Sequence, residues 1–99
     1  MREIAVYMRV TRGRVDLSRY DEAVSAVPGI VGALSRLPGN QSYLTGMDRA
    51  SGRTMAVSTW DTEDHARFST DAVPDLASRL QAAGLQVESS EVFEVTTST

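Results

Sequence analysis

The sequence predicts an α+β fold in which a four-stranded antiparallel sheet carries helices on one face. Two kinds of pattern predict it: four segments alternate with the period of two that is typical of strands, and two segments repeat apolar residues at helical spacing. Their order along the chain is β-α-β-β-α-β, which is the ferredoxin-like arrangement. A chain of 99 residues has the length of one domain, spanning residues 1–99.

The first strand is predicted over residues 3–12. Its two faces consist of Ile4, Val6, Met8 and Val10 on one side, and Ala5, Tyr7, Arg9 and Thr11 on the other. We expect Arg12-Gly13-Arg14 to end it.

A helix should follow, with Ser18 as its N-cap and Asp21 and Glu22 in its first turn. Because Pro28 cannot donate a helical hydrogen bond, we expect a kink or break there that leaves two helical pieces. Leu37-Pro38-Gly39-Asn40 should end the second piece.

The middle of the chain predicts a hairpin with strands at 42–48 and 54–60, in whose loop Gly52 supplies a positive φ. Asp61 or Thr62 should cap the next helix. We expect this helix to be split at Val73-Pro74, with Pro74 in a first helical position, and to end at Gly84 as the C′ residue. The last strand is predicted over about 85–96.

Composition excludes several classes of function. The chain has no cysteine, which excludes disulfides, thiolate zinc sites, iron–sulfur clusters and cysteine nucleophiles. All ten basic residues are arginine, so Schiff-base and P-loop lysine chemistry are excluded too. With one histidine we expect no metal site, and a net charge of −3 with scattered arginines predicts no nucleic-acid partner. No apolar stretch approaches the ~18 residues of a membrane span, so we expect a cytoplasmic protein.

The first strand also predicts a homodimer. Neither of its faces is fully polar, and four further apolar strand residues cannot all point at a single helical layer: Tyr43, Met47, Val92 and Phe93. A second copy that packs its sheet against this one would cover the free face.

Residues 37–68 resemble the antibiotic biosynthesis monooxygenase-like group of dimeric α/β-barrel proteins. The resemblance is carried by Leu37-Pro38-Gly39, by Tyr43-Leu44, by Asp48 with Ser51-Gly52-Arg53, and by residues 57–64, VSTWDTED. One departure is Asn40, where family members usually carry an aromatic or aliphatic residue. The resemblance implies dimers whose sheets face each other and a small, mainly apolar pocket between helices and sheet. It also implies that the chain is related to enzymes that oxidise polycyclic phenols or hydroquinones with molecular oxygen and no cofactor.

Two residues are candidates for catalysis. Trp60 could stack an aromatic substrate or donate its indole N–H to a developing oxyanion, or it could be a packing anchor between strand and helix. His65 is the one group suited to general-base work near neutral pH, although a position in the first turn of a helix is often exposed.

Five residues are candidates for binding the substrate, a small apolar or aromatic ligand: Tyr7, Arg9, Tyr43, Met55 and Phe68. Arg9 could polarise a substrate oxygen, or it could form an ion pair across the sheet or across the dimer interface, for example with Glu91 or Glu94. The tyrosines could bind a phenol or belong to the core or interface, and Met55 and Phe68 suit a pocket wall or plain core.

The sequence therefore favours a cofactor-independent monooxygenase. Two alternatives stay open: a non-catalytic protein that binds a small molecule on the same fold, and an isomerase or cyclase that uses His65 with a tyrosine.

Overall fold

A computed structural model of the chain describes residues 5–98. The sheet consists of β1 (Tyr7–Val15), β2 (Asn40–Met47), β3 (Arg53–Trp60) and β4 (Leu85–Glu94). The strands lie in the order β2-β3-β1-β4, and all neighbours are antiparallel. The helices are α1 (Tyr20–Leu34), α2 (Glu63–Ala66) and α3 (Leu76–Ala82), with 3₁₀ turns at Leu17–Arg19 and Thr70–Ala72. The predicted α+β, ferredoxin-like fold is confirmed, while residues 3 and 4 of the predicted first strand lie outside the described residues.

Strand β1 does not end at Arg12-Gly13-Arg14, so this prediction is wrong. The strand continues to Val15, and its pairing with β4 shifts register between Arg12 and Gly13. A Cβ atom at Gly13 would clash with the backbone carbonyl oxygen of Gln86. The glycine thus allows two strands to approach closely at a bulge instead of ending one of them.

The start and the middle of α1 also differ from the prediction. Ser18 is not the N-cap: the Asp16 carboxylate accepts a hydrogen bond from the backbone N–H of Ser18 (3.0 Å) and caps a 3₁₀ turn, after which α1 begins at Tyr20. Pro28 lies inside one unbroken helix, so the predicted break into two pieces is wrong. The carbonyl that loses its partner belongs to Val24, whose exposed position lets water replace the missing bond.

The segment between β3 and β4, called the second crossover, contains more separate helical pieces than predicted. Thr62 caps α2 as one of the two expected residues, and its Oγ1 accepts a hydrogen bond from the backbone N–H of His65 (3.1 Å). The helix ends after four residues, and the Ser69 hydroxyl then caps the separate 3₁₀ turn. Because α3 begins only at Leu76, the prediction of Pro74 in a first helical position is wrong. Gly84 follows the C-cap of α3 with a φ of +74°, as predicted for a C′ residue.

The helices pack on one face of the sheet. The core between α1 and the second crossover contains Ile30, Leu34, Val73 and Leu76. The opposite face, called the open face below, exposes Leu44 (73%), Met55 (44%) and Phe93 (41%). Within residues 5–98, no helix is long and apolar enough to cross a membrane.

Candidate functional site

A cavity of about 140 Å³ lies between the helices and the sheet and is open to solvent along part of its length. Its roof is apolar and consists of residues from α1 and α3: Val27, Ile30, Val31, Leu34, Leu76 and Leu80. A closed apolar cavity of about 150 Å³ is large enough to bind benzene. The cavity as a whole therefore has room for about one aromatic ring, and a larger ring system would extend through its open side.

The sheet forms the floor of the cavity in three rows that run across the strands. The cross-strand pairs define them in the order β2-β3-β1-β4 as Tyr43, Ser58, Arg9 and Val92 for the first row; Thr45, Ala56, Thr11 and Ser90 for the second; and Met47, Thr54, Gly13 and Val87 for the third. All of these residues except Ser58 and Val92 line the cavity. The polar character of the floor falls along the strands, from a guanidinium and a phenol, through a row of hydroxyls, to a mostly apolar row.

Arg9 is the charged group of the first row. Its Nη1 donates hydrogen bonds to the carbonyl oxygens of Ala66 (3.0 Å) and Phe68 (3.1 Å), at the C-terminal end of α2. Its guanidinium carbon lies 4.0 Å from the centroid of the Phe68 ring, a cation–π arrangement. Arg9 thus ties the sheet to α2 while it also lines the cavity.

The predicted ion pair between Arg9 and Glu91 or Glu94 does not form across the sheet of one chain, and the alternative pair across a dimer interface stays a prediction. Glu91 pairs instead with Arg12 on the open face (2.9 Å), and no ion pair among residues 5–98 involves Arg9. Burial lowers the pKa of Arg9, and the nearby Tyr43 opposes this effect. Since a guanidinium stays protonated in proteins, the cavity carries a half-buried positive charge.

Tyr43, Ser58 and Trp60 lie together beside Arg9 on the same face of the sheet. The fully buried Trp60 donates its Nε1–H to the Ser58 Oγ (2.8 Å), and its ring centroid lies 5.2 Å from that of Phe68. Burial raises the pKa of Tyr43, although the neighbouring Ser58 hydroxyl and the charge of Arg9 act in the opposite direction. Tyr43 therefore keeps its proton at neutral pH and can serve as a donor.

Three other predicted site residues lie elsewhere. Tyr7 and His65 are not among the residues that line the cavity. The His65 Nδ1 lies 2.6 Å from the Asp61 Oδ1 at the half-exposed start of α2. Met55 borders the cavity, but its pairing with Arg12 and Gly46 puts its side chain on the open face.

The structure thus brings Arg9, Tyr43 and Phe68 together at one end of the cavity, with Trp60 packed behind them. The catalytic assignments to Trp60 and His65 stay predictions. Sequence reasoning missed Ser58, which shares a strand face with Trp60 two residues later, and it missed the threonine-rich floor. The period-two alternation from Thr54 to Trp60 places Ser58 on the same face as Trp60. A small hydroxyl residue in a strand does not by itself indicate a functional role. Among residues 5–98, no group of three or more His, Asp or Glu side chains is arranged to hold a metal.

Solved structures share this fold. SnoaB, a cofactor-independent oxygenase from Streptomyces nogalater, is 19% identical and superimposes with a TM-score of 0.69, over 97% of each chain. Proteins named as antibiotic biosynthesis monooxygenases from Bordetella bronchiseptica (14% identity, 96% of this chain and 99% of that chain, TM-score 0.70) and Chloroflexus aurantiacus (13%, 95% and 96%, 0.66) are similar too. No family model and no curated protein sequence matches the chain. At these identities the likeness is one of fold, and the resemblance predicted from residues 37–68 is confirmed at that level.

Proposed function

We propose that this protein, which has the fold of the antibiotic biosynthesis monooxygenases, oxidises a phenol- or hydroquinone-type aromatic substrate with molecular oxygen and no cofactor. The observation that carries the proposal is Arg9, a half-buried cation in an apolar cavity that no described carboxylate neutralises. Such a charge stabilises the deprotonated form of a bound phenol, which is the electron-rich form that reacts with oxygen.

The oxidation is balanced without a further reductant. A deprotonated anthrone transfers one electron to O₂, and the resulting radical and superoxide combine at the ring carbon to form a peroxide. Breaking the O–O bond with loss of water leaves a quinone, so that anthrone and O₂ give anthraquinone and H₂O. In this scheme Arg9 holds the substrate oxygen as an anion, Tyr43 donates a hydrogen bond to it, and the apolar roof excludes water from the reactive carbon.

A second candidate is a protein that binds such an aromatic compound without oxidising it. It is favoured by one specific observation: no aspartate, glutamate or histidine is among the described residues that line the cavity. A substrate that needs a strong base for deprotonation would then bind without reacting.

The proposal is tested by oxygen uptake on a panel of anthrones and aromatic hydroquinones, without added cofactor. We expect uptake above the spontaneous rate for the wild type and for Arg14→Met, whose side chain is exposed on the same strand, and loss of uptake for Arg9→Met. Ligand binding without uptake would favour the second candidate. An absence of both binding and uptake would refute both candidates.

The same assay tests the predicted catalytic residues. If His65→Ala abolishes uptake at an unchanged melting temperature, His65 acts as the general base. Retained uptake would refute that assignment. For Trp60 the matched change is Trp60→Phe, which keeps an aromatic ring but removes the indole N–H.

We also propose that two copies pair through their open faces. The support is the exposure of Leu44, Met55 and Phe93 on that face. The chain exposes 6612 Å², whereas a compact chain of this mass exposes about 5,500 Å². The excess of about 1,100 Å² is larger than the roughly 800 Å² that each partner contributes to an interface of standard size.

A further inference from the structure

We infer that the cavity selects an aromatic ligand with a second oxygen substituent at the far end of its ring system, and that Thr11 and Thr45 bind this second oxygen. The inference rests on the proposed function because it takes the cavity as the substrate site. It adds which substitution pattern the substrate carries and which residues recognise it.

The first argument is position. Thr11 and Thr45 both pair with Ala56 and therefore lie in the second row of the floor, and both line the cavity. They are two residues along the strands from Arg9 and Tyr43, which corresponds to about 7 Å. A ligand whose phenolate contacts Arg9 and which lies along the strands therefore passes over these two hydroxyls.

The second argument is hydrogen-bonding capacity. The Thr11 Oγ1 and Ser90 Oγ atoms lie 3.1 Å apart, and their hydrogen bond uses one of the two hydroxyl protons. The other proton and the remaining lone pairs are available to a ligand, because a hydroxyl is both a donor and an acceptor. Opposite this row, the α1 and α3 side chains that line the cavity are apolar, such as Ile30 and Leu34, and the polar lining residue of the helical layer is Thr70 in the 3₁₀ turn. The ring faces of a ligand would contact these apolar side chains, while most of the hydroxyls that can bind its oxygen substituents lie on the floor.

The third argument is that the two rows differ in chemistry. The first row carries a positive charge and selects an anionic oxygen, whereas the second row is neutral and suits a hydroxyl or a carbonyl. The ligand is therefore expected to be polar at both ends in different ways, with one ionised oxygen and one neutral oxygen.

The test compares three naphthalenes under anaerobic conditions by fluorescence titration: 2-naphthol, 2,3-dihydroxynaphthalene and 2,6-dihydroxynaphthalene. They share one ring system, and only the last carries oxygens at opposite ends. We expect the wild type to bind the 2,6-isomer about 3- to 10-fold more tightly than the 2,3-isomer, the gain from one neutral hydrogen bond. The double variant Thr11→Val, Thr45→Val should lose this preference and keep its affinity for 2-naphthol.

Two further variants separate recognition from packing. Thr11→Ser, Thr45→Ser restores both hydroxyls and should restore the preference. Thr59→Val is the matched control, since Thr59 lies on the open face of a central strand and its hydroxyl also pairs with a serine, Ser42 (2.5 Å). It should leave the preference intact.

The inference and the proposed function fail in different ways. Equal binding of the two isomers by the wild type, or a preference that survives in the double valine variant, would overturn the inference alone. If none of the three ligands binds, the proposed site itself is refuted, and the inference with it.

Discussion

Replacing Arg9 with methionine should raise the pKa of a phenol bound in the cavity. In the wild type, the half-buried guanidinium faces a mainly apolar cavity. A hydrogen bond to a charged group contributes about 1.5–3 kcal/mol, and one pKa unit corresponds to about 1.4 kcal/mol. The pKa of the bound phenol should therefore lie about one to two units below that of the free phenol, towards the smaller value because Arg9 is partly solvated. In Arg9→Met the apolar walls disfavour the phenolate, so this pKa should equal or exceed the free value.

The assay follows the phenolate absorbance of bound 4-nitrophenol as a function of pH. The sign follows from linkage: a ligand whose pKa falls on binding gains affinity as the pH rises from its bound pKa to its free pKa. The wild type should show this rise. In Arg9→Met the affinity should instead stay constant or fall as the pH rises through the free pKa.

Two variants control for the structural role of Arg9. Arg9→Met also removes the hydrogen bonds to the Ala66 and Phe68 carbonyls, so its melting temperature must be measured beside its ligand affinity. Arg9→Lys keeps the charge without the guanidinium geometry and should keep most of the lowered phenol pKa. Arg14→Met removes an exposed arginine from the same strand and should behave as the wild type. The reasoning is refuted if bound and free phenol have the same pKa in the wild type, or if Arg9→Met lowers the phenol pKa as much as the wild type does.

Three further outcomes are expected. Leu44→Glu introduces like charges on both copies of the open face and should convert a wild-type dimer into a monomer in sedimentation velocity, whereas a glutamate at the equally non-polar, exposed Val24 on α1 should not. Gly13→Ala forces a methyl group into the Gln86 carbonyl and should cost about 1–3 kcal/mol of the free energy of unfolding, measured by urea denaturation. Trp60→Phe leaves the buried Ser58 hydroxyl without its indole donor and should cost about 2–3 kcal/mol in the same measurement.

Each of these outcomes can fail. A wild type that sediments as a monomer at micromolar concentration would end the dimer proposal. Gly46→Ala is the control for Gly13→Ala, since a methyl group at Gly46 meets no atom within 4 Å and should be nearly neutral. Equal stabilities of these two alanine variants would contradict the close approach of β1 and β4. A Trp60→Phe variant as stable as the wild type would show that the Ser58 hydrogen bond contributes nothing.

Much of the fold is predictable because it depends on local patterns. Alternation located all four strands, and the glycines at 52 and 84 adopt the positive φ that their turns require. The prediction of a helix break at Pro28 is wrong because the sequence does not show whether the carbonyl group that loses its hydrogen bond lies towards water or towards the core. In the structure Val24 and Pro28 are both exposed, and the helix continues through the proline. The prediction that β1 ends at Gly13 is wrong for a similar reason, because glycine is common both at β-bulges and at strand ends.

The candidate site is predictable in its residue types but not in its arrangement. Arg9, Tyr43 and Phe68 were all chosen from the sequence, and the structure brings them to one end of the cavity. The sequence predicts a carboxylate as the partner of Arg9, whereas its hydrogen bonds go to the backbone carbonyls of Ala66, the last residue of α2, and Phe68, just beyond that helix. No sequence pattern predicts these hydrogen-bond partners, because every residue has a backbone carbonyl group.

The sequence by itself determined the order of the elements, the two faces of each strand and the absence of cysteine and lysine chemistry. Only the tertiary structure decided which face the helices cover, that a cavity remains beneath them, and that one uncompensated charge lines it. The physical reason is that periodicity shows which residues share a face but not which element packs against that face. Burial, charge and hydrogen bonding acquire their effect only when a second element, distant in the sequence, packs against that face.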